Sequence, residues 1–267
     1  MLRYGVLDTC QPLVPHAPLN QSLVEAWHCL PGGAGMGRGA VGWRGLLGRY
    51  TLPLTNMDIT NIVGNGRTSA YADNVYGSWL YNGTDEYMEL PYNAAHNPAS
   101  YTLHAVAADD ASGTGFRSMI STRWVSTGPT NIKGFILWGR DSAAPQPSFW
   151  NGDGTNAAWD TVTPRQVADT WFCVTATYAP PNMYVAVNQE MATPNTEGQY
   201  VQNTQGVLRI GASKSANDGA GPDAAAAFFM FGRIATIRIY NRPLSLGSML
   251  ALNSEASRGY PNLLAWR

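Results

Sequence analysis

Charge is scarce in this sequence. Only 13% of its 267 residues are Asp, Glu, Lys or Arg, and the formal net charge is −1. There is no basic run to neutralise phosphates, which excludes nucleic acid as the expected partner. Cysteine is almost as rare: Cys10, Cys29 and Cys173 are odd in number, far apart and without a C-x-x-C pair. That pattern predicts free, largely buried thiols rather than a disulfide framework. Long hydrophobic runs are missing too. No window approaches the roughly 20 apolar residues of a membrane span, and Asp8 interrupts any apolar core of a signal peptide. The expectation is a chain that folds in a reducing cytoplasm, with no membrane partner. Helical periodicity is confined to one stretch, Ser245 to Ser257, with Ser245 as N-cap.

What the chain does contain is a long series of short alternating segments separated by Gly, Pro, Asn and Asp. The clearest is Phe228 to Ser245. It starts apolar, is expected to turn at Gly232, and then alternates, with Ala235, Ile237 and Ile239 on one side and Ile234, Thr236, Arg238 and Tyr240 on the other. Asn241-Arg242-Pro243 ends it. Leu23 to Trp27, Tyr101 to Ala108, Trp171 to Tyr178 and Met183 to Asn188 read as strands in the same way. Trp79 to Tyr81 and Tyr87 to Leu90 flank Asn82-Gly83, the strongest short-range hairpin signal. Shorter candidates lie at Phe116–Thr122, Gly134–Gly139, Ser148–Trp150 and Gly206–Gly211.

Runs of strands with one helix predict an all-β, two-sheet antiparallel sandwich. Its expected extent is residues 23–257. Residues 1–22, with Pro12, Pro15 and Pro18, form an extended N-terminal arm, and residues 258–267 an apolar C-terminal tail that docks on the body or a partner. The glycine-rich stretch Pro31 to Gly45 lacks both the GxxxxGK[ST] and the GxGxxG spacing, so it reads as a loop and not a phosphate cradle.

Several segments, in order, resemble the laminin-G-like branch of the concanavalin A-like lectin/glucanase superfamily. Leu23-Val-Glu-Ala-Trp27 is similar to its opening strand, and Leu80 to Pro91 to its F-x-G-x-x-D-Y-V-E-L-P element. Tyr101 to Val106 is similar to its F-T-L-S-A-W strand. Trp171 to Tyr178 with Met183 to Gln189 is similar to its W-H-H-V-A-V-T-Y…L-Y-V-N-G pair, and Gly232 to Ser245 to its closing G-x-I-D-E-V-R-I-Y-N-R-A-L-S. The resemblance implies a concanavalin A-like jelly roll. One departure stands out. Where the family carries Asp-Glu in the last strand, the Asp often associated with structural calcium, this chain has Ala235-Thr236. Calcium needs six or more oxygen ligands, and Asp85, Asp109, Asp110, Asp218 and Asp223 lack loop-ligand spacing, so no metal or other cofactor is expected.

Catalysis is disfavoured on the same kind of count. Glycan-cleaving members use paired carboxylates in a Glu-x-Asp-x-x-Glu signature; Asp85 and Glu89 have the wrong spacing. His16, His28, His96 and His104 form no metal-binding pair, and no serine sits in G-x-S-x-G. The better candidate for a ligand site is the stretch with Trp150, Asn151, Asp153 and Trp159, where rings can stack on sugars while amide and carboxylate take hydroxyls. Structural burial of both tryptophans is the competing expectation. Laminin-G-like chains of this type resemble structural proteins of tailed bacteriophages. That resemblance implies a non-enzymatic virion component, in the capsid or tail, with other virion proteins or further copies of itself as partners. A carbohydrate-binding module for a surface glycan is the alternative, and a glycoside hydrolase the third.

Overall fold

The computed structural model describes residues 22–28, 42–57, 78–109, 115–127, 130–141, 146–154, 159–163, 171–214 and 225–259. The expected arm, the tail beyond residue 259, most of the glycine-rich stretch, and Cys10 and Cys29 lie outside them.

The described residues form an antiparallel sandwich of two sheets. The seven-stranded sheet runs β1 (Leu23–His28), β19 (Phe231–Tyr240), β6 (Tyr101–Asp109), β13 (Trp171–Ala179), β14 (Asn182–Val187) and β15 (Glu190–Met191), with β4 (Trp79–Asn82) also paired to β19. The eight-stranded sheet runs β12 (Trp159–Val162), β11 (Ser148–Gly152), β10 (Phe135–Arg140), β7 (Arg117–Ser121), β16 (Leu208–Ile210), β5 (Tyr87–Leu90), β3 (Thr51–Thr55) and β2 (Gly42–Arg44). Two ribbons complete the set, β8 (Trp124–Thr127) with β9 (Thr130–Lys133), and β17 (Ser213–Lys214) with β18 (Ala226–Ala227). One helix, α1 (Leu246–Gly259), follows β19. Ser245 caps it as expected, its hydroxyl accepting from the Ser248 amide at 3.2 Å.

The core lies between the sheets. Alternate residues of β6 (Tyr101, Leu103, Ala105, Ala107) and β13 (Phe172, Val174, Ala176, Tyr178) meet Met88, Leu90, Met119, Phe135, Leu137 and Phe149 of the facing sheet. Each fully buried large side chain there contributes about 1.5–3 kcal/mol.

Two segments depart from the sequence expectations. Chain alternation in β19 is broken by a bulge at Ala235: Ile234 pairs with Ala107 and Thr236 with Val106, so Ala235 is the extra residue. The bulge brings Ile234 to the core side with Ile237 and Ile239, while Ala235 packs outward with Val106, Cys173 and Ala256. The turn lies before Phe231, at Phe228, and not at Gly232, which is a strand residue. Second, β4 and β5 are not a hairpin. Asn82-Gly83 carries the chain from one sheet to the other, β4 pairing with β19 and β5 with β16 and β3.

Helix α1 closes the outer face of the seven-stranded sheet. Leu244, Met249 and Leu252 cover Leu23, Ala26, Ala186 and Tyr240. Beside this apolar contact runs a polar seam. Thr175 Oγ1 donates to Asn253 Oδ1 (2.7 Å) and is 2.9 Å from His104 Nδ1. With the hydroxyl proton spent on Asn253, His104 Nδ1 is the donor in the second bond. Asn253 Nδ2 donates to the Asn188 carbonyl (2.6 Å), and Arg238 joins His28 Nε2 and Glu255 Oε1, both at 3.1 Å. Burial, and secondarily the charge of Arg238, hold His28 and His104 well below the usual imidazole pKa. Burial pushes the Cys173 thiol up to about 12, so it is an inert packing residue.

A second buried charge, on the opposite side of β1 from the helix, shapes another stretch of surface. Glu25 accepts from the amides of Leu47 (2.8 Å), Arg49 (2.9 Å) and Tyr50 (3.2 Å). The loop hugs the carboxylate so closely that a Cβ on Gly45 would meet Glu25 Cδ at 2.3 Å. The loop thereby presents Leu46 and Leu47, 45% and 41% exposed, to solvent.

Candidate functional site

A cleft opens where the β4–β5 crossing, the start of β7 and the start of β19 meet. Asn82, Gly83, Phe116, Arg117, Phe228, Phe229 and Phe231 line a volume of about 400 Å³, within the size range of small-ligand pockets. Each wall has a local cause. Asn82 Oδ1 accepts from the Thr84 amide (2.7 Å) and its Nδ2 donates to Asp85 Oδ1 (2.8 Å), which locks the crossing. Gly83 has φ +76°, and a Cβ there would stand 2.8 Å from that of Phe231. Phe228 holds a left-handed φ of 55°, and its carbonyl accepts from the Ser118 amide at 2.9 Å. That conformation costs a bulky residue about 1 kcal/mol or more.

Behind the wall is an aromatic cluster. Phe116 sits 5.1 Å from Trp138, 5.5 Å from Trp150 and 5.9 Å from Phe228, mostly edge to face. Trp138 meets Trp150 and Phe228, each at 5.5 Å. On the other side Phe229 lies 6.1 Å from Tyr87.

Arg117 is the one ionisable side chain among the described residues lining the cleft. Its Cζ lies 5.1 Å from the Phe231 ring centroid, and Nη1 donates to the Phe231 carbonyl (3.2 Å) and to Asp109 Oδ1 (2.7 Å). Asp109 Oδ2 takes Arg140 Nε at 2.6 Å. Burial pushes the Asp109 carboxyl above its ordinary pKa, while both guanidinium groups pull against that rise. With two fixed cations within hydrogen-bonding distance, the group is ionised at neutral pH.

The four residues expected from the sequence are distributed differently. Trp150 is on the outer face of the eight-stranded sheet as part of the cluster behind Phe116. Asn151, the next residue in the strand, points the opposite way. It is fully buried and accepts a short hydrogen bond from the Tyr101 hydroxyl, so it belongs to the core and not to a ligand surface. Asp153 is half-buried beyond the end of β11, and Trp159 stands opposite Gly152 in the β11–β12 register. The structure does not bring these four to one surface. The cleft residues escaped sequence reading because they come from three separate segments.

The residues considered for hydrolysis are committed elsewhere. Glu89 forms an ion pair with Arg209 across the β5–β16 pair at 2.7 Å, and Asp85 is bonded within the crossing. The centre of this face is roofed by the β17–β18 ribbon, where Ser213 Oγ meets Ser121 Oγ at 2.8 Å. No carboxylate, histidine, cysteine or serine is among the described residues lining the cleft. At the family's calcium-linked position, Ala235 offers no side-chain oxygen and packs against Val106, Cys173 and Ala256. The described residues there do not fit a calcium ion.

A laminin-G-type family model of the concanavalin A-like lectin/glucanases superfamily matches residues 82–248. The chain belongs to that superfamily. Solved structures share its fold at low identity. The binding domain of botulinum neurotoxin serotype C1 superposes with a TM-score of 0.59 at 10% identity, over 89% of this chain and 52% of that one. The serotype D binding domain gives 0.55 at 11% identity, over 90% and 52%. Domain 4 of AbnA, an extracellular arabinanase of Geobacillus stearothermophilus solved with arabinotriose, gives 0.55 at 13% identity, over 87% and 98%. The chain thus spans about half the length of the toxin domains and nearly all of the arabinanase domain. No curated protein is detectably similar in sequence.

Proposed function

We propose that this concanavalin A-like domain is a non-catalytic carbohydrate-binding module whose ligand enters the Phe116–Phe228–Phe229–Phe231 cleft. The observation that carries the reading is the cleft itself: four phenylalanines from two segments gathered around one guanidinium and the Asn82–Gly83 crossing, with no acid–base pair among the described residues on its walls. Sugars present apolar faces to aromatic rings and hydroxyls to charged groups, so this wall chemistry suits them. The sugar-complexed arabinanase domain supports the reading as a fold-level analogy only. A glycan array probed with the intact chain tests it. Binding weakened about ten-fold in Phe229→Ala, with the melting transition retained, is the expected result; a chain that binds no glycan sinks the reading.

A second reading is a virion structural component. It is favoured by the low charge of the sequence and by the rigid tip that exposes Leu46 and Leu47. Its expected partners are other virion proteins or further copies of the chain, with residues 1–22 and 258–267 making contacts. Deletion of residues 1–20 that leaves incorporation into a larger particle unchanged would refute the arm's part in it.

A further inference from the structure

We infer that the cleft selects sugars bearing a carboxylate, with Arg117 as the residue that reads the acid. This deepens the carbohydrate-binding reading above and rests on it. The walls make the selection. Four phenylalanine side chains on the walls carry no charge, so the field at the cleft is that of Arg117 with Asp109 and Arg140 behind it, two guanidinium groups on one carboxylate that leave a net positive charge.

The guanidinium is also prepared for the task. A free arginine side chain loses rotamer freedom when it binds; this one is already fixed by Asp109, by the Phe231 carbonyl and by the Phe231 ring face. Asp109 is in turn held by Arg140, so two guanidinium groups converge on one carboxylate. Asp109 and Arg140 therefore act as positioning residues for Arg117. A planar carboxylate matches the geometry of a guanidinium better than a hydroxyl does, and its hydrogen bonds are charge-assisted. The rings then take the apolar face of the same sugar, so one ligand meets both kinds of wall.

The test leaves the protein unaltered. The intact chain is titrated calorimetrically with the methyl glycosides of glucuronic, galacturonic and N-acetylneuraminic acids, each against its own methyl ester. Esterification removes the charge and keeps the ring. At least one acid should bind, and its ester should bind about ten-fold to a hundred-fold more weakly. Affinity for the acid should also fall as salt is raised from 50 to 500 mM, unlike that of the ester. Arg117→Gln, checked for a retained melting transition, should bind acid and ester alike. If esters bind as well as acids, or if only neutral glycans on the array bind, the selection for acids is wrong while the carbohydrate-binding reading survives. If no glycan of either kind binds, both fall.

Discussion

On the outer face of the seven-stranded sheet, helix α1 lies over polar side chains that are spent on one another: His104 on Thr175, Thr175 on Asn253, Arg238 on His28 and Glu255. On the outer face of the eight-stranded sheet a two-stranded ribbon covers the middle, and the chain then turns through Phe228 to leave an aromatic cleft at one end. Both faces bury charge. The first uses it to fasten an element of the fold. The second holds Arg117 by Asp109 at the wall of an opening. The same ingredients therefore lie under a helix on one face and beside an open cleft on the other, and the difference is what covers them.

Acid should break the comparison most strongly, and on the helix side. His28 and His104 have pKa values lowered in the folded state, and His96, buried beside Tyr50, is lowered to about 4. Groups of this kind contribute stability that is complete above the unfolded value near 6.5 and lost as pH falls toward the folded values. Each should cost about 1.4 kcal/mol per pH unit within that window. Urea unfolding at pH 7 and pH 5 should show a loss of several kcal/mol that shrinks in His104→Gln.

Next in size is Asn253→Ala. It strands the Thr175 hydroxyl and the Asn188 carbonyl, for an expected cost of about 2–3 kcal/mol. If the cleft is the glycan site, glycan affinity should not move, because the helix covers the outer face of the other sheet. Trp150→Ala should cost about 2–3 kcal/mol and also weaken binding, since its ring supports Phe116 from behind. Phe229→Ala should reverse that balance, with binding weakened about ten-fold and stability changed by less than about 1 kcal/mol. The smallest effect is expected for Glu89→Gln. It breaks a partly exposed pair with Arg209, for less than about 1 kcal/mol, with no change in glycan affinity. A Glu89→Gln variant that lost a glycan-cleaving activity would instead revive the hydrolase reading.

Much of the sandwich was legible because strand alternation leaves a direct trace. Residues of β6 and β13 facing the core are those an apolar–polar count selects. The capped helix was legible from Ser245. Alternation misled where a bulge intervened: nothing in the composition of Ile234-Ala-Thr236 announces that Ala235 is the extra residue. Asn82-Gly83 misled for a related reason. Its local chemistry specifies a sharp turn, but whether the next strand pairs with the last or joins the other sheet is settled by distant partners such as Leu208–Ile210. Short strands such as β2, β15 and β17 carry too few residues to show any period. The cleft was the least legible feature, since Gly83, Phe116 and Phe229 are far apart in sequence and none of them singly signals a ligand site. Trp150 was noticed for its ring. Its place behind the wall follows from the register of β10 with β11, which pairs it with Ile136.

The long strand β19 gives one edge to two partners in tandem. Strand β1 leaves it with His28 opposite Thr236, and β4 rejoins it with Trp79 opposite Ile234. Departure and return are thus two residues apart on a single strand. Whatever lies between them in the chain begins and ends at a fixed point, so added length there costs only the slow growth of loop closure, about 0.6 kcal/mol for each doubling. The edge of β19 therefore works as a graft point. Sequence can be added between β1 and β4, or a new peptide displayed, so long as residues 42–57 are kept, because β2 and β3 belong to the eight-stranded sheet and carry Trp43 and Leu52 into the core.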